Sequence, residues 1–171
     1  MNIKRFVQVL SLFLILTALS YSLYKSGFAQ EKTKLLEVGQ GAPALTLTNT
    51  AGQRISLADY KGQGIVLNFW ATYCPPCKKE MPLLADALTE DIAVITVNVG
   101  EPTRLVNQFL QNKQLSLPTL LDRKEEVYTL YQVTNLPTTF FINEKGEIDD
   151  KVIGELNEQL LKEKIEQIQP K

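Results

Sequence analysis

Seven residues of nearly unbroken apolar character, GIVLNFW from Gly64 to Trp70, run within four positions into the tetrapeptide Cys74-Pro75-Pro76-Cys77. A run of that length and composition suits a strand buried on both faces, which requires a sheet covered on either side. The two prolines after Cys74 suit a first helical turn, where the missing amide hydrogens have no intrahelical partner to lose. The chain is thus committed to a strand–turn–helix unit with two thiols at the junction.

The remaining patterns extend that unit into an α/β domain. PALTLTN and QRISLAD alternate apolar and polar residues around Thr50-Ala51-Gly52, the signature of a β-hairpin. IAVITVNV, Ile92 to Val99, reads as a second buried strand, and Pro102 then suits the first turn of a helix with Leu105, Val106, Phe109 and Leu110 on one face. LPTLLD gives a short strand, and KEEVYTLYQV a short helix presenting Val127, Leu130 and Tyr131. TTFFIN and EIDDKVIG are strands joined by Glu144-Lys145-Gly146, and Asn157 caps a last helix with Leu161, Ile165 and Ile168 at helical spacing. Strands alternating with helices predict a mixed sheet. The 171 residues, 44% of them hydrophobic, suffice for one globular domain, expected over residues 42–171.

The N-terminus is of another kind. From Phe6 to Tyr24 no residue is charged, and a helix of that length at about 1.5 Å per residue just spans a hydrocarbon core of about 30 Å. Tyr21 and Tyr24 lie near one end, where amphipathic rings favour the membrane interface. Residues 1–29 are therefore expected to be a retained signal-anchor and 30–41 a polar tether. A cleaved signal peptide is the rival, because Gly27-Phe28-Ala29 offers a small-x-small site; the long apolar run and Lys25 directly after it oppose cleavage. A single apolar segment behind Lys4 and Arg5 places the domain outside the cytoplasm, although Lys25, Lys32 and Lys34 flank the other end. A formal net charge of −1 argues against nucleic acid as a partner, since such binders usually carry a basic patch or stripe.

Two cysteines and no histidine cannot complete an ordinary four-ligand zinc site. Copper(I) carriage by the two thiolates is open to soft-ligand chemistry, but Met81 is the one further soft donor close by. A purely structural disulfide across so short a loop would constrain the unfolded chain little. Redox catalysis remains. The sulfur of Cys74 would lie at a helix N-terminus, where free amides favour thiolate, and Cys77, one turn on, would be more buried and placed to resolve a mixed disulfide. Because neither proline has an N–H, the nearest backbone donor to the Cys74 sulfur is the amide of Cys77. Fewer donors mean a comparatively high thiol pKa and a reducing couple.

FWATYCPPC resembles the active site of the thioredoxin superfamily, Pro82 its helix-kinking proline, and Leu136-Pro137-Thr138 the segment with a cis-proline beside the redox pair. The N-terminal anchor, the leading hairpin, the helix and strand between Pro102 and Leu121, and KEMP after the motif narrow the likeness to the ResA/TlpA/CcmG group of membrane-anchored thiol-disulfide oxidoreductases, ResA most closely. The resemblance implies a thioredoxin-like fold of the redoxin or AhpC/TSA type, with an N-terminal β-hairpin and a central helix–strand insert, and a redox-active Cys74–Cys77 disulfide with neither cofactor nor metal. Where thioredoxins commonly carry a buried acid six residues before the first cysteine, this chain has Asn68, which exchanges no protons. Glu80, three residues beyond Cys77 on the same helical face, is the replacement, and ResA-like proteins carry a functional glutamate there. Partial burial should raise its pKa and let it pass a proton to or from the resolving thiol; an ordinary solvent-facing glutamate is the alternative. Lys78 and Lys79 read as a solvated face.

Trp70 and Tyr73 flank the pair as an apolar docking surface for substrate, with a core tryptophan as the other reading of Trp70. Leu136 and Pro137 would offer backbone groups to an extended substrate peptide if the bond between them is cis. By resemblance the substrate is the oxidised haem-attachment cysteine pair of apocytochrome c, and the electron donor a transmembrane thiol carrier of the CcdA or DsbD type. Another envelope or sporulation reductase of the StoA kind is the runner-up. A peroxiredoxin-like peroxidase would want threonine three residues before its cysteine, where this chain has Ala71.

Overall fold

A computed structural model describes residues 3–27 and 36–170. The candidate cleavage site beyond Gly27 and residues 30–35 of the expected tether lie outside the described residues. Two units are present, one holding the N-terminal helix and the other beginning at Leu36.

In the first unit, α1 (Ile3–Gly27) is a helix of 25 residues whose described apolar side chains, including Leu10, Phe13, Leu14 and Leu19, are exposed. Its segment Ile3–Ser22, 20 residues, is long and apolar enough to cross a membrane.

The second unit is a seven-stranded mixed sheet. In chain order its elements are β1 (Thr46–Asn49), β2 (Arg54–Ser56), a 3-10 turn at Leu57–Tyr60, β3 (Gly64–Trp70), α2 (Pro75–Asp86) and β4 (Ile92–Val99). Then follow α3 (Thr103–Asn112), β5 (Thr119–Asp122), α4 (Glu126–Leu130), β6 (Thr138–Ile142), β7 (Ile148–Ile153) and α5 (Glu158–Ile168). The strand order is β2-β1-β5-β4-β3-β6-β7. β3 runs parallel to β4 and antiparallel to β6, so the two central strands carry the longest apolar runs.

Alternation along β3 separates two cores. Val66 and Trp70 pack with residues of α2, α3 and α5, among them Met81, Val106 and Leu161, whereas Ile65, Leu67 and Phe69 face Tyr131, Phe140 and Leu57. The site rests on the first of these faces.

The hairpin forms as the alternation predicts, Thr46 opposite Ser56 and Thr48 opposite Arg54, but its second strand is shorter than QRISLAD. Ser56 stops it: its hydroxyl accepts from the Ala58 amide while Asp59 accepts from the Ser56 amide at 2.8 Å, a capping box that opens the 3-10 turn. Pro102 stands just before α3 as its N-cap. Leu105 and Leu130, expected on buried helix faces, are exposed. The buried stripes run through Val106 and Leu110 with half-buried Phe109 on α3, and through Val127 to Tyr131 just past α4, and Leu105 and Leu130 fall off them.

The folded unit also starts earlier than Ala42. The Gly39 amide donates to the Ile148 carbonyl and the Ile148 amide to the Gln40 carbonyl, both at 2.7 Å, so residues 36–41 belong to the domain and not to the tether. Leu36 itself packs on the Tyr131 side of the sheet.

Candidate active site

β3 ends at Trp70, and the Cys74 amide donates back to the Ala71 carbonyl at 3.2 Å, turning the chain into α2. Cys74 is the N-cap, with extended backbone angles, and Pro75 and Pro76 fill the first helical positions. The Cys77 amide donates to the Cys74 sulfur at 3.3 Å, the donor to which the two prolines restrict the helix start. The two cysteines form a disulfide with their Cα atoms 5.3 Å apart. Cys74 is 7% exposed and Cys77 0%, so the N-cap sulfur is the one that reaches the surface.

One turn beyond Cys77, Glu80 is 1% exposed, inside the domain and not on a solvated face. Its two oxygens have separate partners: the Asn68 side-chain amide donates to Oε1 at 2.8 Å, and the Leu156 backbone amide donates to Oε2 at 2.7 Å. Burial pushes the Glu80 carboxyl up from 4.5 to about 7; the bonds from Leu156 and Asn68 hold it down in part, and the nearby charge of Glu155 adds to the rise. Asn68, fully buried on β3, also donates to Thr139 Oγ1 on β6 at 2.9 Å, consistent with the pairing of Asn68 opposite Thr139. Lys78 and Lys79 are exposed, and Lys79 makes only a surface ion pair with Glu155 at 3.5 Å.

The docking residues separate. Tyr73 is 68% exposed beside Cys74. Trp70, in contrast, is a core residue: it has no exposed surface, and its ring packs on Phe109 with centroids 5.1 Å apart, so it offers nothing for a substrate to touch. The Leu136–Pro137 bond is cis. The Pro137 carbonyl accepts from the Gly154 amide at 2.9 Å, whereas the backbone groups of Leu136 have no hydrogen-bond partner among the described residues. The half-buried Leu136 side chain packs against the apolar cluster that contains both cysteines.

Sequence reasoning missed a second buried acid. Glu101, directly beyond β4, accepts from the Thr72 amide at 2.6 Å, from the Thr72 hydroxyl, and from the Asn98 side chain at 2.7 Å. It thereby fixes the loop that delivers Cys74. The available signal was a charged residue at the C-terminal end of a fully buried strand, the sheet end that carries the cysteine motif. Among the described residues no cluster of three metal-ligating acids, cysteines or histidines occurs. Two sulfurs of unequal exposure at a helix start, with a buried acid one turn away, can exchange thiols for disulfides and move a proton as they do so.

Comparisons with known proteins agree with that chemistry. The AhpC/TSA family profile matches residues 38–151. The chain is 36% identical over 171 residues to the thiol-disulfide oxidoreductase ResA of Bacillus subtilis (strain 168), covering 98% of this chain and 94% of that protein. It is similar to the crystal structure of StoA from Bacillus subtilis, with a TM-score of 0.63 and 35% identity over 71% of this chain and 96% of the other. The exposed lipoprotein thioredoxin of Streptococcus pneumoniae TIGR4 superposes with a TM-score of 0.62 at 26% identity, covering 73% and 99%. The fold is thioredoxin-like.

Proposed function

The chain belongs to the AhpC/TSA family and is a thiol-disulfide oxidoreductase of the ResA group, and on that premise we propose that it is a dithiol reductase working outside the cytoplasm, tethered by α1, on the disulfide of the haem-attachment cysteines of an apocytochrome c. The observation that carries the reductase reading is the unequal burial of the two sulfurs on one helix start, Cys74 at 7% and Cys77 at 0% exposure, with Glu80 buried one turn on.

The reduced protein begins with two thiols. The Cys74 thiolate attacks one sulfur of the substrate disulfide, forming a mixed disulfide and releasing the first substrate sulfur, which takes up a proton. Cys77 then attacks the Cys74 sulfur. Its proton passes to the Glu80 carboxylate, whose pKa near 7 suits both acceptance and return. The second substrate sulfur leaves and is protonated, the protein is left as the Cys74–Cys77 disulfide, and two electrons and two protons have moved to the substrate. Tyr73 and the unpaired backbone of Leu136 beside cis-Pro137 supply the surface on which an extended peptide docks. A membrane-embedded thiol carrier restores the dithiol.

Cys77→Ser in cells tests this reading. Mixed disulfides should accumulate through Cys74, an apocytochrome c should be among them, and Cys74→Ser should trap nothing. Faster alkylation of Cys77 than of Cys74 in the reduced protein would reverse the two roles. The likeness to StoA supports a second reading, in which the trapped partners are other extracytoplasmic proteins and no apocytochrome c is found.

A further inference from the structure

The Asn68 carboxamide meets the Glu80 carboxyl across a 2.8 Å hydrogen bond. Among the described residues the Glu80 oxygens have two partners and both are donors, the Leu156 backbone amide on Oε2 and the Asn68 side-chain amide on Oε1. That arrangement suits a carboxylate, which only accepts. A carboxylic acid carries one hydrogen that needs an acceptor, and in a site 1% exposed no bulk water reaches it.

The Leu156 amide belongs to the main chain and cannot turn away, so Oε2 keeps its donor and the acid proton must sit on Oε1, facing Asn68. There it would confront an N–H group. Asn68 also holds the remedy. Its own carbonyl, Oδ1, is buried with no hydrogen-bond partner among the described residues, and a half-turn of the carboxamide exchanges the donor for that acceptor. The second partner of Asn68 allows the same exchange, because the Thr139 hydroxyl at 2.9 Å accepts from Nδ2 in one orientation and donates to Oδ1 in the other.

We propose that Asn68 is a positioning residue that turns its amide with the protonation state of Glu80, anchored in both orientations by Thr139, so that the buried acid gains and loses its proton without leaving that proton unpaired. The inference rests on the acid–base role proposed for Glu80 and adds the group that makes it reversible. The other charged or titratable groups on this side are Glu155, whose charge disfavours the carboxylate, its ion-pair partner Lys79 at 3.5 Å, and Cys74 and Cys77 at the start of α2. β3 and β6 contribute the neutral Asn68 and Thr139. In the oxidised protein the cysteines do not titrate, which leaves Glu80 as the group whose proton Asn68 meets.

The test is side-chain amide NMR on the oxidised full chain in detergent micelles, with asparagine labelled by nitrogen-15 and the Glu80 carboxyl followed by its carbon-13 shift. Above the Glu80 titration the Asn68 amide hydrogens should show contacts to the Thr139 methyl group and the Glu80 methylenes. Below it those contacts should be lost. Glu80→Gln imitates the acid permanently, because its own amide must donate where the proton sat, and should show the low-pH pattern at every pH. Asn68 amide contacts that stay constant through the Glu80 titration, and identical in wild type and Glu80→Gln, would overturn the proposal. Turnover separates this from the reading beneath it. Slower disulfide reduction by Glu80→Gln with an immobile Asn68 amide overturns the amide turn alone, whereas undiminished reduction overturns the acid–base role of Glu80.

Discussion

At the scale of the residue, Glu80 is held in the fold at a cost that depends on pH. Its carboxyl titrates near 7 in the folded protein against an ordinary value of 4.5, mainly because burial penalises the charged form. Between those values the folded state binds more protons than the unfolded state, so stability falls as pH rises. The contribution is most favourable below 4.5 and fully lost above 7. Glu80→Gln keeps the shape without the charge. In urea melts of the oxidised protein the variant should match wild type at pH 4 and exceed it at pH 8 by about 3 kcal/mol, since each tenfold change in proton affinity between folded and unfolded states is worth about 1.4 kcal/mol. Equal gaps at both pH values would mean that Glu80 ionises freely. The place of this acid was legible because an asparagine stood where a thioredoxin keeps its buried acid, and a glutamate stood one turn past the second cysteine. Glu101 was not legible. Its partner Thr72 lies 29 positions away, and only the parallel alignment of β3 with β4 brings them together. Trp70 was ambiguous for a related reason: an aromatic next to a motif can serve core or surface, and here the last residue of a strand buried on both faces joins Val66 in the core under α2 and α3.

At the scale of the element, β3 and β4 were legible to the residue because a strand covered on both sides is apolar over most of its length, and every residue of both strands is buried. The segment 36–41 was not, since Gly39 and Gln40 are held through backbone atoms to Ile148 at the start of β7, contacts that their own side chains do not announce. The start of β3 shows how tightly the elements meet. A Cβ placed on Gly64 would lie 2.5 Å from the Ile168 carbonyl oxygen at the end of α5 and 2.7 Å from Ile92 Cδ1. The isoleucine tip can swing aside, but the carbonyl is main chain and moves only with the helix. Gly64→Ala should therefore destabilise by about 1–3 kcal/mol, the usual range for overpacking. Thermal melts would read this as a lower Tm, with insulin reduction by the folded fraction at low temperature unchanged because the cysteines lie at the opposite end of β3. An unaltered Tm would show that α5 is free to shift.

At the scale of the whole molecule, a compact unit that begins at Leu36 is preceded in the chain by a long apolar helix. The described apolar side chains of α1 stand exposed from Val7 to Leu19, an arrangement that water opposes and hydrocarbon satisfies. At about 1.5 Å per residue the 20-residue segment Ile3–Ser22 is about 30 Å long, matching the apolar thickness of a bilayer. A retained helix predicts that the full-length protein stays with the membrane pellet through a wash at about 1 M salt, which screens ionic attachment to a Debye length of about 3 Å but leaves apolar insertion untouched. On the proposed extracytoplasmic placement, protease added to the outside of intact spheroplasts should digest the thioredoxin-like domain. Signal-peptidase cleavage predicts the opposite partition: a soluble product whose first residue by N-terminal sequencing is Gln30, released without detergent. That single N-terminus decides between a protein confined to the membrane surface and one released from it.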